Sequence, residues 1–443
     1  MNWEKLLSDK RFGMESYHDE SKRERTDFQR DYDRLIFSAP FRRLQNKTQV
    51  FPLPGSVFVH NRLTHSLEVA CVGRSLGNIC GKQLFKSSHQ ECSALLEMGS
   101  IVSAACLAHD LGNPPFGHSG EKAISTYFSE GNGKEWIETL RAQGARVTDF
   151  THFEGNANSL RLLTHQFNGR RKGGFAMTYS TLSSIVKYPH TSLSCDPKKG
   201  KFGFFASEES DYQKIADELG LIKISKNPVQ YVRHPLVYLV EAADDICYQI
   251  MDIEDAHKLK LLSTEECIEL LLNFFPEEKK NRALSIMDMV GDKNEKIAYL
   301  RSSVIGILID ECSRVFVENE KKILSGNFEK SLIKYIGDIP KSAYETCSKT
   351  AVEKIYRSQI VVDIELAGFR IISFLLDCLL DAVRNPDKKY SELLIERIPE
   401  QYEKSTVSDY TKTQAVIDYI SGMTDIYALD LYRKITGMSL PSL

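Results

Sequence analysis

The chain has 443 residues, 42% of them apolar and 26% charged, with a formal net charge of -3 at pH 7. This composition is typical of a globular protein with a large core, and it argues against a mainly disordered chain and against general coating of nucleic acid. The ten cysteines form no CxxC pair, which argues against a zinc ribbon or a disulfide framework.

The amino-terminal residues show no signal-peptide pattern, and no apolar run reaches the roughly 18 to 20 residues that a membrane span needs. We therefore expect a cytoplasmic protein without a membrane partner. The segment from Lys22 to Lys47 is strongly basic with acidic residues interleaved. Such a local concentration of charge suits the binding of an anion.

Six segments repeat apolar residues at intervals of three and four positions, which predicts an all-α fold. In chain order they are RLTHSLEVACVGRSLGNICGKQL, SIVSAACLAHDL, HPLVYLVEAADDICYQIMDIEDAHKL, SSVIGILIDECSRVFVENEKKIL, VVDIELAGFRIISFLLDCLLDAV and QAVIDYISGMTDIYALDLYRKI. Helix ends are predicted at PLPG (52–55), GNPP (112–115) and GNG (131–133), and a short hairpin or loop at 195–210.

The segment from about 122 to 230 is polar, contains glycines and is less periodic than its flanks. It is interpreted as a loop-rich insertion between two core helices. We predict a core over residues 1–260 that contains this insertion, and a C-terminal helical region over 261–443 packed on the core.

The stretch CLAHDLGNPPFGHSGE, residues 106–121, places two acid-imidazole pairs around a proline turn. His109 and Asp110 end an apolar run, and His118 and Glu121 follow the turn. At a helix end, two adjacent side chains can converge on one point in front of the helix, and a metal ion is a natural occupant of that point.

Further metal ligands must come from other helices. His65 lies near the start of one apolar segment, and Asp244 lies with Tyr248 and Asp252 on one face of another, at i, i+4 and i+8. Two imidazoles and two carboxylates suit Mn, Fe, Co, Ni or Mg and leave positions open for water and phosphate. Such a set is typical of a catalytic metal site.

These residues, in the order H…HD…D, resemble the HD-domain metal-dependent phosphohydrolase superfamily. Within it, RTDFQRDYDRLIFSAPFRRLQNKTQVFPLPG, HNRLTHSLEVA, AHDLGNPPFGHSGE, HFEGNAN, VKYPH and AADDICYQIMDIEDA resemble the deoxyguanosine triphosphate triphosphohydrolases. The separated motifs cover about residues 25–256, and NPPFGHSGE is far more specific than the HD pair. The resemblance implies an HD-domain helical core.

The resemblance implies a divalent metal ion, Mg or Mn with Fe, Co or Ni as alternatives. Its ligands would be His65, His109, Asp110 and Asp244. The family pattern places a Tyr four and an Asp eight residues after the last ligand, which selects Asp244 and leaves Asp245 as the alternative.

The resemblance also implies that His118 and Glu121 are the catalytic pair. The spacing has a physical sense of its own, because residues at i and i+3 of a first helical turn let a carboxylate orient an imidazole. The alternative is that Glu121 only caps a helix. The reaction implied is hydrolysis of dGTP at the α-phosphorus, which releases deoxyguanosine and tripolyphosphate.

The substrate residues implied by the resemblance fall into phosphate, sugar and base contacts. Asp252 would accept from the 3′ hydroxyl, and the Tyr248 ring would leave no room for a 2′ hydroxyl. The other candidates are Arg62, Lys187 and Tyr188 for phosphates, Gln45 for the base or sugar, and His152 and Asn156 near the phosphates.

Two other functions stay open. The chain could be a dNTPase of broader specificity or another HD phosphohydrolase, or a non-catalytic regulator that binds nucleotides or single-stranded DNA. His118 and Glu121 beside a full metal set favour catalysis, because a sensor has no use for a proton-transfer pair. Relatives imply an allosteric nucleotide or single-stranded DNA as further partners. A homo-oligomer is the default for such enzymes.

Overall fold

The computed structural model describes residues 1–17, 24–51, 59–87, 89–196, 199–402 and 408–439. Within these ranges helices dominate, which confirms the all-α prediction. The only strands in the described ranges, β1 (Lys223–Lys226) and β2 (Val229–Tyr231), pair as an antiparallel hairpin. The helix end predicted at 52–55 lies outside the described residues.

The α-helices are α1 (Trp3–Leu6), α2 (Asp27–Ile36), α3 (Ala39–Arg43), α4 (Arg62–Ser87), α5 (Met98–Ala108), α6 (His118–Ser129), α7 (Lys134–Ala142), α8 (Thr148–Thr151), α9 (Gly155–Thr164), α10 (Tyr179–Ile185), α11 (Glu209–Glu218), α12 (Val237–Lys258), α13 (Thr264–Leu272), α14 (Glu277–Asp288), α15 (Lys293–Glu318), α16 (Glu320–Leu324), α17 (Asp338–Thr350), α18 (Gln359–Arg384), α19 (Lys389–Glu396), α20 (Asp409–Ser421) and α21 (Asp425–Ile435). A π-helical turn, Ala351–Ile355, follows α17 directly. Not one helix among the described residues is both long and apolar enough to span a bilayer.

One predicted helix differs from the structure, and the two alternatives for another segment are decided. The last apolar segment forms two helices, α20 and α21, because the Thr424 hydroxyl caps α21 by accepting from the Tyr427 amide (3.1 Å). The described part of 195–210 is a loop followed by helix, and not a hairpin. Phe202, Phe204 and Phe205 anchor this loop, since all three side chains are fully buried.

Close packing of α4 against α5 brings the first metal-ligand helix next to the second. Gly77 makes this contact possible, because a Cβ atom at Gly77 would lie 2.7 Å from the Met98 carbonyl oxygen. Helix α12 packs against α4 and α5 in the same apolar core. The three helices that supply the predicted ligands therefore share one rigid packing unit.

A second apolar cluster combines the predicted insertion with the C-terminal helices. It joins side chains of α6, α7 and α9 to those of α18, α20 and α21. The segment from α13 to α17 packs instead on the first core. The C-terminal region thus contacts both the core and the insertion, and the domain boundary near residue 260 stays a prediction.

Candidate metal and active site

His65, His109 and Asp244 meet where α4, the end of α5 and α12 converge. One ligand atom from each lies within 4.8 Å of the others. Asp244 Oδ1 is 3.1 Å from His65 Nε2 and 3.6 Å from His109 Nε2. Asp244, and not the neighbouring Asp245, therefore faces both imidazoles.

Hydrogen bonds from neighbouring groups orient two of the predicted ligands, His109 and Asp110. The Nδ1 atom of His109 lies 2.6 Å from the Cys106 carbonyl oxygen, so Nδ1 donates and Nε2 is the nitrogen that faces the cluster. Asp110 Oδ1 lies 3.6 Å from His109 Nε2. Arg62 Nη1 donates to Asp110 Oδ2 (2.6 Å), and the Asn113 amide donates to Oδ1. The structure thus brings three of the predicted ligands, His65, His109 and Asp244, into one cluster and places the fourth, Asp110, beside His109.

Charge in this cluster favours a bound cation. Burial alone would raise the pKa of Asp110, but Arg62 and His109 lower it to about 2. Burial likewise opposes ionisation of Asp244, yet His109 and His65 hold its pKa well below the usual range. Burial would lower the pKa of His109, and the two carboxylates raise it to about 9. Two imidazole nitrogens beside two ionised carboxylates are a donor set that fits a divalent ion.

His118 and Glu121 form a hydrogen-bonded pair on the first turn of α6. His118 Nδ1 is 2.8 Å from Glu121 Oε2, while Glu121 Oε1 accepts from the Gly155 amide (2.7 Å). The His118 side chain is 67% exposed and that of Glu121 only 8%. Glu121 raises the pKa of His118. A fixed carboxylate thus holds an imidazole that can exchange protons with a ligand in the cleft.

The cleft in front of His118 contains charged side chains that were not predicted as catalytic. Lys201 Nζ lies 2.7 Å from Glu154 Oε2 and 3.9 Å from Glu121 Oε2. Burial alone would raise the pKa of Glu121, but His118 and Lys201 keep it below its usual range. Lys201 was missed because its segment, KFGFF, carries no spacing signal that relates it to α6.

Helix α9 supports the loop that joins the metal ligands to His118. The side-chain amide of Asn158 donates to the Gly112 carbonyl (2.7 Å), and the Ser159 hydroxyl accepts from the backbone amide of Gly112 (2.9 Å). A Cβ atom at Gly112 would lie 2.2 Å from the Ser159 nitrogen, so only glycine fits there. Phe116 and Gly117 then turn the chain into α6 with φ of 63° and 58°.

The predicted sugar residues lie beside a tyrosine from the C-terminal region. Tyr356 donates its hydroxyl hydrogen to Asp252 Oδ2 (2.6 Å) and stacks on the Tyr248 ring, with 5.8 Å between ring centroids. Burial raises the pKa of Asp252 to about 8. Tyr356 was missed because it lies 104 residues from Asp252 in the sequence.

Two of the predicted phosphate contacts, Arg62 and Lys187, are cations that already have carboxylate partners. Lys187 Nζ lies 3.0 Å from Glu241 Oε1 and 5.8 Å from the centre of the Tyr188 ring. The buried Arg62 is paired with Asp110, as described above.

The three remaining substrate candidates are His152, Asn156 and Gln45. His152 lies in the cleft with His118, and its Nδ1 is 3.1 Å from the Thr151 hydroxyl. The Asn156 amide donates to Glu154 Oε1. Gln45 is exposed. Their substrate roles stay predictions.

Comparison with known proteins identifies two family regions. Residues 62–194 match the HD domain, and residues 341–434 match the phosphohydrolase-associated domain. A deoxyguanosinetriphosphate triphosphohydrolase-like protein of Synechocystis sp. is 39% identical over 99% of this chain and 100% of its own length. A protein of the same description from Pseudomonas aeruginosa is 37% identical over 100% of both chains. The deoxyguanosinetriphosphate triphosphohydrolase of Yersinia enterocolitica is 30% identical over 92% of this chain and 93% of its own.

Replacement of Asp244 by asparagine should weaken metal binding by at least about tenfold, because the amide removes a charge from the point where both imidazoles meet. The measurement is Mn²⁺ affinity by isothermal titration of metal-depleted protein. Asp245→Asn is the matched control and should stay within about twofold of the parent. His118→Ala should also bind Mn²⁺ normally. Equal losses in Asp244→Asn and Asp245→Asn would contradict the ligand assignment.

Proposed function

The chain belongs to the deoxyguanosinetriphosphate triphosphohydrolase-like family of HD-domain proteins, and we propose that it hydrolyses dGTP to deoxyguanosine and tripolyphosphate. The observation that carries the proposal is the shared loop. Residues 109–117 begin with the HD pair of the metal cluster and lead directly into His118, which Glu121 orients. One short loop thus supports both a cation site and a proton-transfer pair.

The chemistry requires water to attack the α-phosphorus. The new bond joins the water oxygen to phosphorus, the bond between phosphorus and the 5′ oxygen breaks, and that oxygen takes a proton. A divalent ion held by His65, His109, Asp110 and Asp244, with Mg or Mn as the proposed ions, would polarise a phosphate oxygen and activate the attacking water.

His118 would move the proton in this reaction. Its Nδ1 is hydrogen-bonded to Glu121, so its Nε2 is the nitrogen left to contact substrate. As a base, Nε2 would accept a proton from the attacking water, and as an acid it would give one to the 5′ oxygen. Either direction needs the imidazole held in one orientation, which the buried Glu121 carboxylate provides.

Deoxyribose selection is proposed for the face of α12 that follows Asp244. Asp252 would accept a hydrogen bond from the 3′ hydroxyl, and the stacked rings of Tyr248 and Tyr356 would occupy the space that a 2′ hydroxyl needs. Exclusion by shape discriminates against the ribonucleotide without any contact to the base. Guanine preference and homo-oligomer formation stay predictions, as does regulation by an activating nucleotide or single-stranded DNA.

The full-length protein should convert dGTP to deoxyguanosine and tripolyphosphate in the presence of Mn²⁺ or Mg²⁺ and leave GTP intact. The measurement is chromatographic separation of nucleosides, nucleotides and polyphosphates after incubation with each dNTP and with GTP. Equal turnover of all four dNTPs would support the broader dNTPase. Release of orthophosphate or pyrophosphate would support another HD phosphohydrolase, and absence of any turnover would support the binding regulator.

In Glu121→Gln, the pKa of His118 should fall, because Glu121 raises that pKa in the parent. The limb of the kcat/KM profile that reports His118 should therefore move to lower pH, whether His118 acts as acid or as base. We expect kcat to fall by about 100-fold, within the usual contribution of general acid-base catalysis. The pH dependence of initial rates with dGTP measures both effects. An unchanged limb would mean that Glu121 does not set the protonation of His118.

A further inference from the structure

The turn that delivers His118 is held by a residue from the other end of the chain. Asp425, the first residue of α21, accepts from the Phe116 amide at Oδ1 (2.9 Å) and from the Thr48 amide at Oδ2 (2.8 Å). Its side chain is not needed to cap α21, because Thr424 does so. Asp425 is 7% exposed. Both carboxylate oxygens are therefore committed to backbone amides of the predicted core, residues 1–260.

Lys47 makes a second connection between the same two parts of the molecule. Its Nζ donates to the Asn113 carbonyl (2.5 Å) in loop 109–117 and to the Ser421 carbonyl (2.8 Å) at the end of α20. The side chain is almost fully buried. A buried amino group has few alternatives to these partners, so both connections restrict the loop.

Phe116, which donates to Asp425, has a backbone conformation that needs support from its surroundings. Phe116 has a φ of 63°, a backbone conformation that non-glycine residues adopt rarely and keep only where surrounding contacts enforce it. Besides the bond to Asp425, Phe116 packs against Gly368 of α18, where a Cβ atom would come within 2.9 Å of the Phe116 Cβ. The C-terminal helices therefore enforce the turn into His118.

From these contacts we propose that Asp425 and Lys47 form a clamp through which the C-terminal helices position His118 relative to the metal cluster. Asp425 and Lys47 are positioning residues, since neither needs to touch substrate. The proposal rests on the proposed function for its kinetic readout only. It assigns a role to the phosphohydrolase-associated region, residues 341–434, which contains Asp425.

The clamp makes a specific kinetic prediction. His118 and Glu121 both lie on α6, so loss of the clamp should move the pair as a unit and leave the hydrogen bond between them intact. In Asp425→Ala, kcat should fall by about 100-fold, as expected for a misplacement near 1 Å. KM should change by less than about threefold, since the contacts that bind substrate equally in the ground state and the transition state are unaffected. Mn²⁺ content and the pH limb of His118 should stay as in the parent.

The matched control is Asp409→Ala. Asp409 is the first residue of α20 and follows a serine cap, as Asp425 follows a threonine cap, but its carboxylate contacts Gln143 and Lys412. Asp425→Asn is the conservative variant. Its amide oxygen can accept from one of the two amides, so its kcat should lie between those of the parent and Asp425→Ala.

Hydrogen–deuterium exchange of the Mn²⁺-loaded full chain tests the clamp without any turnover. Peptides covering residues 109–121 should exchange faster in Asp425→Ala and, less so, in Asp425→Asn, and at the parent rate in Asp409→Ala. If Asp425→Ala does not fold, Asp425→Asn decides. Exchange and kcat equal to those of Asp409→Ala would overturn the clamp. A parent without dNTP turnover would overturn the proposed function, while the exchange comparison would still decide the clamp.

Discussion

The ion pair between Arg62 and Asp110 joins the first turn of α4 to the loop that follows α5. Both side chains are largely buried, at 3% and 11% exposure, and Nη1 of Arg62 lies 2.6 Å from the carboxylate. Removal of one partner from such a pair typically costs about 3 to 5 kcal/mol, because the other charge stays buried without compensation. The pair therefore fixes the distance between the two helices that carry His65 and His109.

The same pair explains why the next turn contains glycine. A Cβ atom at Gly117 would come within 2.4 Å of Arg62 Nη2. The backbone can thus pass over the guanidinium only without a side chain. Arg62 thus contacts Asp110 at the start of loop 109–117 and restricts Gly117 at its end.

Three cations of the site, two of them candidates for phosphate contact, are paired with carboxylates. Arg62 contacts Asp110, Lys187 contacts Glu241, and Lys201 contacts Glu154. These pairs keep long side chains ordered and avoid uncompensated buried charge.

Local patterns in the sequence predicted the parts of the site that lie on one element or at one turn. The spacing of Asp244, Tyr248 and Asp252 defines one face of α12, and the HD pair with His118 and Glu121 surrounds one loop. Contacts between distant segments have no such pattern. Tyr356 reaches Asp252 across 104 residues and Asp425 reaches Phe116 across 309. The break between α20 and α21 was missed because the spacing of apolar residues continues across it. In the structure the Thr424 side chain caps the start of the second helix.

The most direct test of the central claim is hydrolysis of dGTP in ¹⁸O-labelled water with Mn²⁺. The account predicts one labelled oxygen in tripolyphosphate, at the phosphorus that was the α-phosphorus, and none in deoxyguanosine, as mass spectrometry of the separated products would show. Label in the 5′ hydroxyl of deoxyguanosine would mean that water attacks carbon. Labelled orthophosphate or pyrophosphate would place the attack at another phosphorus, and either result would contradict the account.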